Sequence, residues 1–455
     1  MRVLLVSANR VVAPMPAYPL AFDHLQVALC PPHDVVTHDV LADGEDALVE
    51  VVRNFAPELI GVSIRNIDDN DATECQSFVA DARRLVRTIK SQSPVPVVLG
   101  GAGYSLFPRE LLETCGADFG IVGDGEQFVE LVDALDRGLD VRDLAGLVTP
   151  GGGPRSVRRF APPPVVASSG PVAYYRDNGG VFNLETARGC PYRCSYCSYP
   201  LIQGSSLRRG DPRGIARSAR HLEEQGARYL FLTDSVFNAD PGHSLAVAEA
   251  FRVERVTLPW GAFFSCTRMP EGYFHRLREA GLSHVEFGTD SLSDRVLRAL
   301  RKPFQYDDVM ATHREAVAAQ VNVAHFFTLA GPEESPSTIE ECLHRADALE
   351  QTVLFFFCGI RIYPGTALHA RAVRENMLTG GESLLEPRYY QSPAVSPEQV
   401  RQFVETHRAG RLNWVVGAGD EGIRRRMDRK RAQGKVGPLW EELLTLENTR
   451  RRLLD

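Results

Sequence analysis

None of the 455 residues belongs to an apolar run approaching the ~20 residues of a membrane-spanning helix. The longest such stretch, around Val353 to Ile360, has the length of a strand. No export leader is expected either: Met1-Arg-Val-Leu-Leu-Val6 turns polar at Ser7 and Asn9, too soon for an apolar leader core. That start reads as a buried first strand, and the expected location is the cytoplasm, with no membrane partner. Excess basic charge is absent as well. A net charge of −7 argues against a general nucleic-acid binder, and the basic run Arg424–Arg431 reads as a solvated helix face. No internal repeat or low-complexity tract occurs. With no export signal expected, the nine cysteines are not expected to form a disulfide framework. Six of them (Cys30, Cys75, Cys115, Cys266, Cys342, Cys358) are scattered, mostly among apolar neighbours, and read as small core filler.

What is present is an ordinary globular composition, 44% hydrophobic and 24% charged, in a chain long enough for two or three domains. Residues 1–148 alternate β-branched runs (Val3–Val6, Val35–His38, Leu59–Ser63, Val95–Leu99, Phe119–Val122) with helical patterns such as Asp46–Asn54 and Ala80–Ser91. This alternation predicts an α/β fold with a doubly wound, flavodoxin-like parallel sheet. Residues 149–178 carry dense breakers, including Pro162-Pro-Pro164 and Ser168-Ser-Gly-Pro171, and read as a linker. Over 179–384 the alternation predicts six strands at 181–186, 229–233, 260–265, 284–288, 322–329 and 353–362, hence a partial (βα)6 barrel. Residues 385–455 read as a helical C-terminal region.

The remaining cysteines lie together in Arg188-Gly-Cys190-Pro-Tyr-Arg-Cys194-Ser-Tyr-Cys197, just after the first barrel strand, where βα loops build active sites. Cysteines at i, i+4 and i+7 can converge on one centre. Structural zinc wants four ligands and no fourth Cys or His lies nearby, His221 being the next histidine. A cubic 4Fe–4S cluster held by three thiolates keeps one iron free to bind substrate. Metal ligation is therefore expected from Cys190, Cys194 and Cys197.

This C-x3-C-x2-C spacing, with Tyr196 before the last cysteine, resembles the signature of the radical S-adenosylmethionine superfamily. The resemblance implies that S-adenosylmethionine binds the open iron and is cleaved by one electron to a 5′-deoxyadenosyl radical. Other strand ends carry Thr233-Asp-Ser-Val-Phe-Asn238, Glu286-Phe-Gly-Thr-Asp-Ser291, Gly331-Pro-Glu-Glu334 and Arg361-Ile-Tyr-Pro-Gly-Thr366. Over nearly the whole chain these segments resemble the subgroup with an N-terminal cobalamin-binding-like domain. Carried over, Thr233, Asp234 and Ser235 meet the methionine amine, Asp290 and Ser291 the ribose, and Gly331 borders adenine. Arg361 and Tyr363 face cofactor or substrate, and Arg268 is a further candidate carboxylate partner.

In residues 1–148, Gly61-Val-Ser63, Val98-Leu-Gly-Gly101 and Gly123-Asp-Gly-Glu126 permit close backbone approach to a bulky ligand. The D-x-H-x-x-G pattern that gives cobalt a histidine is absent, the loop reading Ser7-Ala-Asn-Arg-Val-Val-Ala-Pro14. Arg10, Arg65, Asn66, Asp68, Asp69, Tyr104 and Phe107 cluster at predicted strand ends, to fill the cleft or turn it toward the barrel. With that position unoccupied, Ser198-Tyr-Pro-Leu-Ile-Gln-Gly204 and the Asp234–Asn238 turn resemble radical diol dehydratases acting on aminoglycosides. The leading expectation is thus cobalamin-independent dehydration of a vicinal diol in a paromamine-like aminoglycoside, giving a deoxy sugar. It calls for an electron donor and a separate NADPH-dependent dehydrogenase. Acid, base and ammonium-binding roles fall to Glu185, Asp234, Asn238, Glu286, His325 and Tyr363. The alternatives are a cobalamin-dependent C-methyltransferase of natural-product biosynthesis and a non-catalytic iron–sulfur scaffold.

Overall fold

The computed structural model describes residues 1–12, 16–70, 72, 75–154, 156–162, 171–417, 419 and 421–454. Residues 155 and 163–170 of the expected linker, and 13–15 of the loop after the first strand, lie outside the described residues.

The N-terminal sheet comprises β1 (Arg2–Ser7), β2 (Asp34–Asp39), β3 (Leu59–Ser63), β4 (Val97–Gly100), β5 (Phe119–Ile121) and β6 (Leu147–Val148), in the order β2-β1-β3-β4-β5-β6. All pairings are parallel except β5 with β6. The β-branched runs are buried between two helical layers, which is why they read as continuous apolar segments. The flanking helices bury one stripe each; Val79–Gln92 presents Val79, Ala82, Leu85, Val86 and Ile89. The strand order reverses between β1 and β3, so a crevice opens at their carboxyl ends.

The second unit begins with β7 (Val181–Leu184), followed by a short antiparallel ribbon of β8 (Ala187–Arg188) and β9 (Arg208–Arg209). Then come β10 (Tyr229–Leu232), β11 (Trp260–Phe264), β12 (Leu282–Asp290), β13 (Asn322–Leu329), β14 (Thr352–Cys358), the antiparallel pair β15 (Ile360–Arg361) and β16 (Tyr389–Tyr390), and β17 (Trp414–Val416). The barrel sheet runs β17-β14-β13-β12-β11-β10-β7 with every pairing parallel. The six expected strands are all present. The C-terminal region is not purely helical, however: Trp414-Val-Val416 adds a seventh barrel strand.

Strand alternation separates two faces. On β13, Val323, Phe327 and Leu329 join the core under the outer helices, whereas Ala324 clusters with Val353, Val415, Trp440 and Leu443 inside the barrel. Trp440 and the helix Glu441–Leu454 close the barrel floor, with the Trp440 indole N–H donating to Glu286 at 3.1 Å. Among the described residues no helix is long and apolar enough to cross a membrane.

The two units meet along the carboxyl ends of their strands. After β3, Asp68 and Asn70 accept from Arg361 (2.9 Å) and Tyr363 (2.7 Å) of the barrel unit. After β5, Asp124 and Glu126 accept from Arg208 (3.2 Å) and Arg188 (2.7 Å). Two clamps therefore hold the crevice of the first sheet opposite the mouth of the barrel.

Candidate active site between the two sheets

The cysteine loop is pinned before any metal is considered. Gly189 sits at φ 92°, where a Cβ would lie 2.3 Å from the Ser206 carbonyl, so only glycine fits this turn. The Cys190 amide donates to Gly204 (3.1 Å), the Ser195 amide to Leu300 (2.8 Å), and the Leu368 amide to Ser195 (2.7 Å). Burial pushes up all three thiols, Cys197 to about 12, against backbone N–H groups of Tyr192 and Tyr199 aimed at Cys190 and Cys197. Among the described residues no three His, Cys, Asp or Glu side chains close on a single ion; a cubane, whose ligated irons occupy separate corners, does not require that. Desolvated neighbouring thiols with amides on their sulfurs suit an iron–sulfur cluster, whose charge compensates thiolates that burial otherwise disfavours. The donor set fits.

Around this loop the structure reassigns many expected side chains. Tyr196 and Asp290 come together, the tyrosine hydroxyl donating to the carboxylate at 2.5 Å, and Lys302 completes the group at 2.8 Å. Asp290 is thus held by protein partners rather than offered to a ribose. Ser291 is fully buried and accepts from the Ser293 amide (3.2 Å), so it faces no ribose either. Thr233 and Ser235 remain half-buried at the rim; Ser235 donates to Gln203 (2.9 Å), whose oxygen also receives the Gly189 amide (3.3 Å). Gly331 donates to Glu334, a carboxyl that burial raises to about 8.

The expected acid–base set dissolves into structural ties. Asp234 accepts the Thr186 amide (2.6 Å) and hydroxyl, joining the ends of β10 and β7, and burial raises it to about 7. Asn238 bridges to Ser265 through both its amide atoms (2.9 and 2.8 Å). Glu185 holds Arg188 (2.7 Å) inside one clamp. Arg361, buried against Asp68, and Tyr363, half-buried against Asn70, form the other. His325 lies on the outer face of β13, stacked on Phe287 and bonded to Thr289 (2.7 Å) and His313 (3.0 Å), with burial holding it neutral. Arg268 is exposed and pairs with Asp308 (2.6 Å). Of that set, only Glu286 points into the barrel, beneath the aromatic walls.

Those walls were missed in sequence. Phe231 and Phe263 meet edge to face (5.0 Å), Phe326 stacks between Phe355 (4.9 Å) and Phe357 (6.4 Å), and Thr328 shares their face. Phe263 is 40% exposed although it stands on a middle strand, so the lumen is open. An aminoglycoside brings several ammonium groups and hydroxyls, which need polar partners when desolvated. Five phenylalanines above one carboxylate do not provide them. The signal available in sequence was the period-two spacing of Phe326 with Thr328 on one strand and of Phe355 with Phe357 on the next.

Across the interface, the β1/β3 crevice is lined by Ala8, Asn9, Arg10, Ile64, Arg65 and Asn66. The Asn9 side-chain amide nitrogen is buried there without a partner. At Gly101 (φ 100°) a Cβ would lie 2.6 Å from the Ile64 carbonyl, so glycine lets the turn after β4 pack directly on the backbone after β3. Tyr104 is packed against Gly120 in the sheet rather than standing in the opening. A buried donor left without a partner at these strand ends fits a polar ligand lying over them. The three histidines of this unit are engaged elsewhere: His24 near Arg188, His33 on Asp133 and His38 on the Gly44 carbonyl. Among the described residues no histidine therefore lines this crevice. The short helix Ala102–Leu106 beside the crevice packs on the helix Tyr199–Gln203 that leaves the cysteine loop. Tyr199 is 42% exposed, yet desolvation raises its hydroxyl against the pull of Arg65, as expected of a side chain facing an enclosed gap.

Comparison with known proteins agrees with this layout. The radical SAM superfamily domain matches residues 184–346, and the B12 binding domain matches residues 7–133. The chain is 26% identical to a tryptophan 2-C-methyltransferase of Streptomyces laurentii over 445 residues, covering 80% of this chain and 73% of that protein. It is 25% identical to the uncharacterized methyltransferase PH0819 of Pyrococcus horikoshii over 400 residues, covering 83% and 84%. Its fold matches that of the radical S-adenosylmethionine methyltransferase TsrM from Kitasatospora setae with cobalamin and a [4Fe-4S] cluster bound, at TM-score 0.87, 23% identity, and 99% and 98% coverage. These findings overturn the expectation of a cobalamin-independent aminoglycoside dehydratase: the first unit is a B12-binding domain, and the similar proteins are methyltransferases. The missing D-x-H-x-x-G pattern removes a cobalt ligand, not the domain. With a three-cysteine loop at the mouth of its barrel and that domain in front, the chain belongs to the radical S-adenosylmethionine superfamily, in the subgroup with an N-terminal cobalamin-binding domain.

Proposed function

We propose that the protein is a cobalamin-dependent methyltransferase that consumes S-adenosylmethionine and methylates a small substrate with a flat apolar face. The observation that carries this reading is the opposition of the β1/β3 crevice to the cysteine loop, with Arg65 and Tyr199 on its two sides. Cys190, Cys194 and Cys197 would hold the cluster, and Thr233 and Ser235 at the rim would meet S-adenosylmethionine. Asn9, with its unpartnered amide nitrogen, would receive the corrinoid. When bound, these groups supply an open iron site, an electron and a metal able to carry a methyl group. The chain's own part is placement. The two clamps fix crevice against loop, the phenylalanine walls offer a substrate an apolar surface, and Glu286 can accept a hydrogen bond from a substrate donor reaching the barrel floor. Similarity to a tryptophan 2-C-methyltransferase supports an aromatic substrate. An electron donor and a reducing, cytoplasmic setting belong to the same reading, since the thiols must stay reduced to take iron; the NADPH-dependent dehydrogenase expected for a dehydration has no place in it.

The test is turnover by the full chain, reconstituted with iron, sulfide and cobalamin, supplied with methyl-deuterated S-adenosylmethionine and a panel of indoles and aromatic amino acids. The expected outcome is a product heavier by one labelled methyl group. A product that has lost water and carries no label would contradict the proposal.

A further inference from the structure

Beside the cysteine loop lies a buried cation with no part in the chemistry described so far. Lys302 follows the helix Asp294–Ala299 and a left-handed turn at Arg301 (φ 57°). Its Nζ lies 2.8 Å from Asp290, the two side chains being 7% and 6% exposed, and 5.8 Å from the centre of the Tyr196 ring. Tyr196 falls between the second and third cluster cysteines and donates its hydroxyl to the same carboxylate. The adjacent Ser195 amide donates to Leu300, two residues before the lysine, so the segment carrying the cation is bonded directly to the ligand loop. Asp290 itself sits at φ 61°, a conformation that is costly for a non-glycine residue and persists only where the surroundings hold it.

Such a group is poorly explained as a stabilising device. Taking an ammonium and a carboxylate out of water costs several kcal/mol, and a well-packed apolar pair is often as stable. Electrostatics explains it better. Accepting an electron adds a negative charge to an iron–sulfur cluster, and a fixed cation in a low-dielectric setting favours the reduced state. We propose that Lys302 is a positioning charge for the cluster, held by Asp290 and linked through Tyr196 to the ligand loop, and that it raises the cluster's reduction potential. Its field reaches all three thiols, opposing the effect of burial on each. The inference rests on the cluster alone and is independent of methyl transfer.

The test uses the full chain with its cluster reconstituted anaerobically, its midpoint potential followed by electron paramagnetic resonance during redox titration. Lys302→Gln leaves Asp290 uncompensated and should lower the potential by tenfold or more in the reduction equilibrium, 59 mV for one electron. Asp290→Asn leaves the lysine uncompensated and should raise it. The double variant D290N/K302Q removes both charges and should return toward the wild-type value, as should K302R alone. A role confined to holding the loop would move both single variants the same way and leave the double variant no better. Shifts of the same sign, or no shift in either single variant, would overturn the proposal. If K302Q takes up no cluster, the sign of the D290N shift and recovery in the neutral double variant decide the matter.

Discussion

Replacing Arg361 by methionine probes the link between fold and site. Arg361 and Asp68 are 3% and 1% exposed, and the guanidinium also donates to the Ile362 and Leu384 carbonyls at 2.8 Å. It lies 5.0 Å from the centre of the Tyr363 ring. Methionine keeps most of the volume but leaves the Asp68 charge buried and two carbonyls without their donor. Breaking a buried pair from one side costs about 3–5 kcal/mol. For a unit of 150–250 residues each kcal/mol lowers the melting temperature by about 2–4 °C, so the N-terminal unit should melt roughly 6–20 °C lower. Differential scanning calorimetry reads the shift, and cobalamin retention on gel filtration reads the functional consequence, since the same clamp holds crevice against cysteine loop. D68N/R361M removes the stranded charge and should recover at least half of the loss. A shift below about 2 °C, or a double variant as unstable as the single one, would refute the view that this pair locks the units together.

Two further outcomes follow from the site. Asp234 is raised to about 7 by burial, so its folded form favours the proton; the stability it contributes is present below about pH 4 and is lost as pH rises toward 7, at most about 4 kcal/mol. Asp234→Asn keeps the Thr186 contacts without ionising, so its melting temperature should gain on the wild type from pH 5 to pH 8; parallel profiles would argue against a buried neutral carboxyl. Phe263→Asp places a charge on the open wall of the lumen, where a 40% exposed residue bears little packing. Product formation should fall at least tenfold with the melting temperature within about 2 °C, whereas unchanged turnover would remove the lumen from the substrate path.

The elements were largely legible in sequence, and the roles of polar residues were not. Parallel strands buried on both faces announce themselves as apolar runs, so β1, β3 and β10 to β14 fall within a few residues of where Val3–Val6, Leu59–Ser63 and their counterparts place them. The cysteine loop is legible because its chemistry depends on spacing within one short segment. Strand-end polar residues are different. Asp234 and Asn238 have the residue types of catalysts, yet each side chain finds a partner at a neighbouring strand end, a choice made by tertiary contact, whereas Glu185 is taken by Arg188 three residues along. His325 could have been excluded by parity, because it shares the face of Val323 and Phe327. Lys302 gave no local sign, since its partners Asp290 and Tyr196 lie on other segments. Trp414-Val-Val416 was hidden by its shortness in a charged tail. The absent histidine and the bulky strand-end residues weigh against cobalamin in sequence, whereas the folded chain packs Tyr104 into the sheet and leaves an Asn9 donor without a partner in the crevice.

The account stands most directly on the ligand of that crevice. Hydroxocobalamin added to the anaerobically reconstituted full chain, followed by gel filtration and cobalt analysis, should leave about one cobalt per chain, with retention reduced when Asn9 is replaced by leucine. A chain that carries its iron–sulfur cluster yet emerges free of cobalt would contradict it.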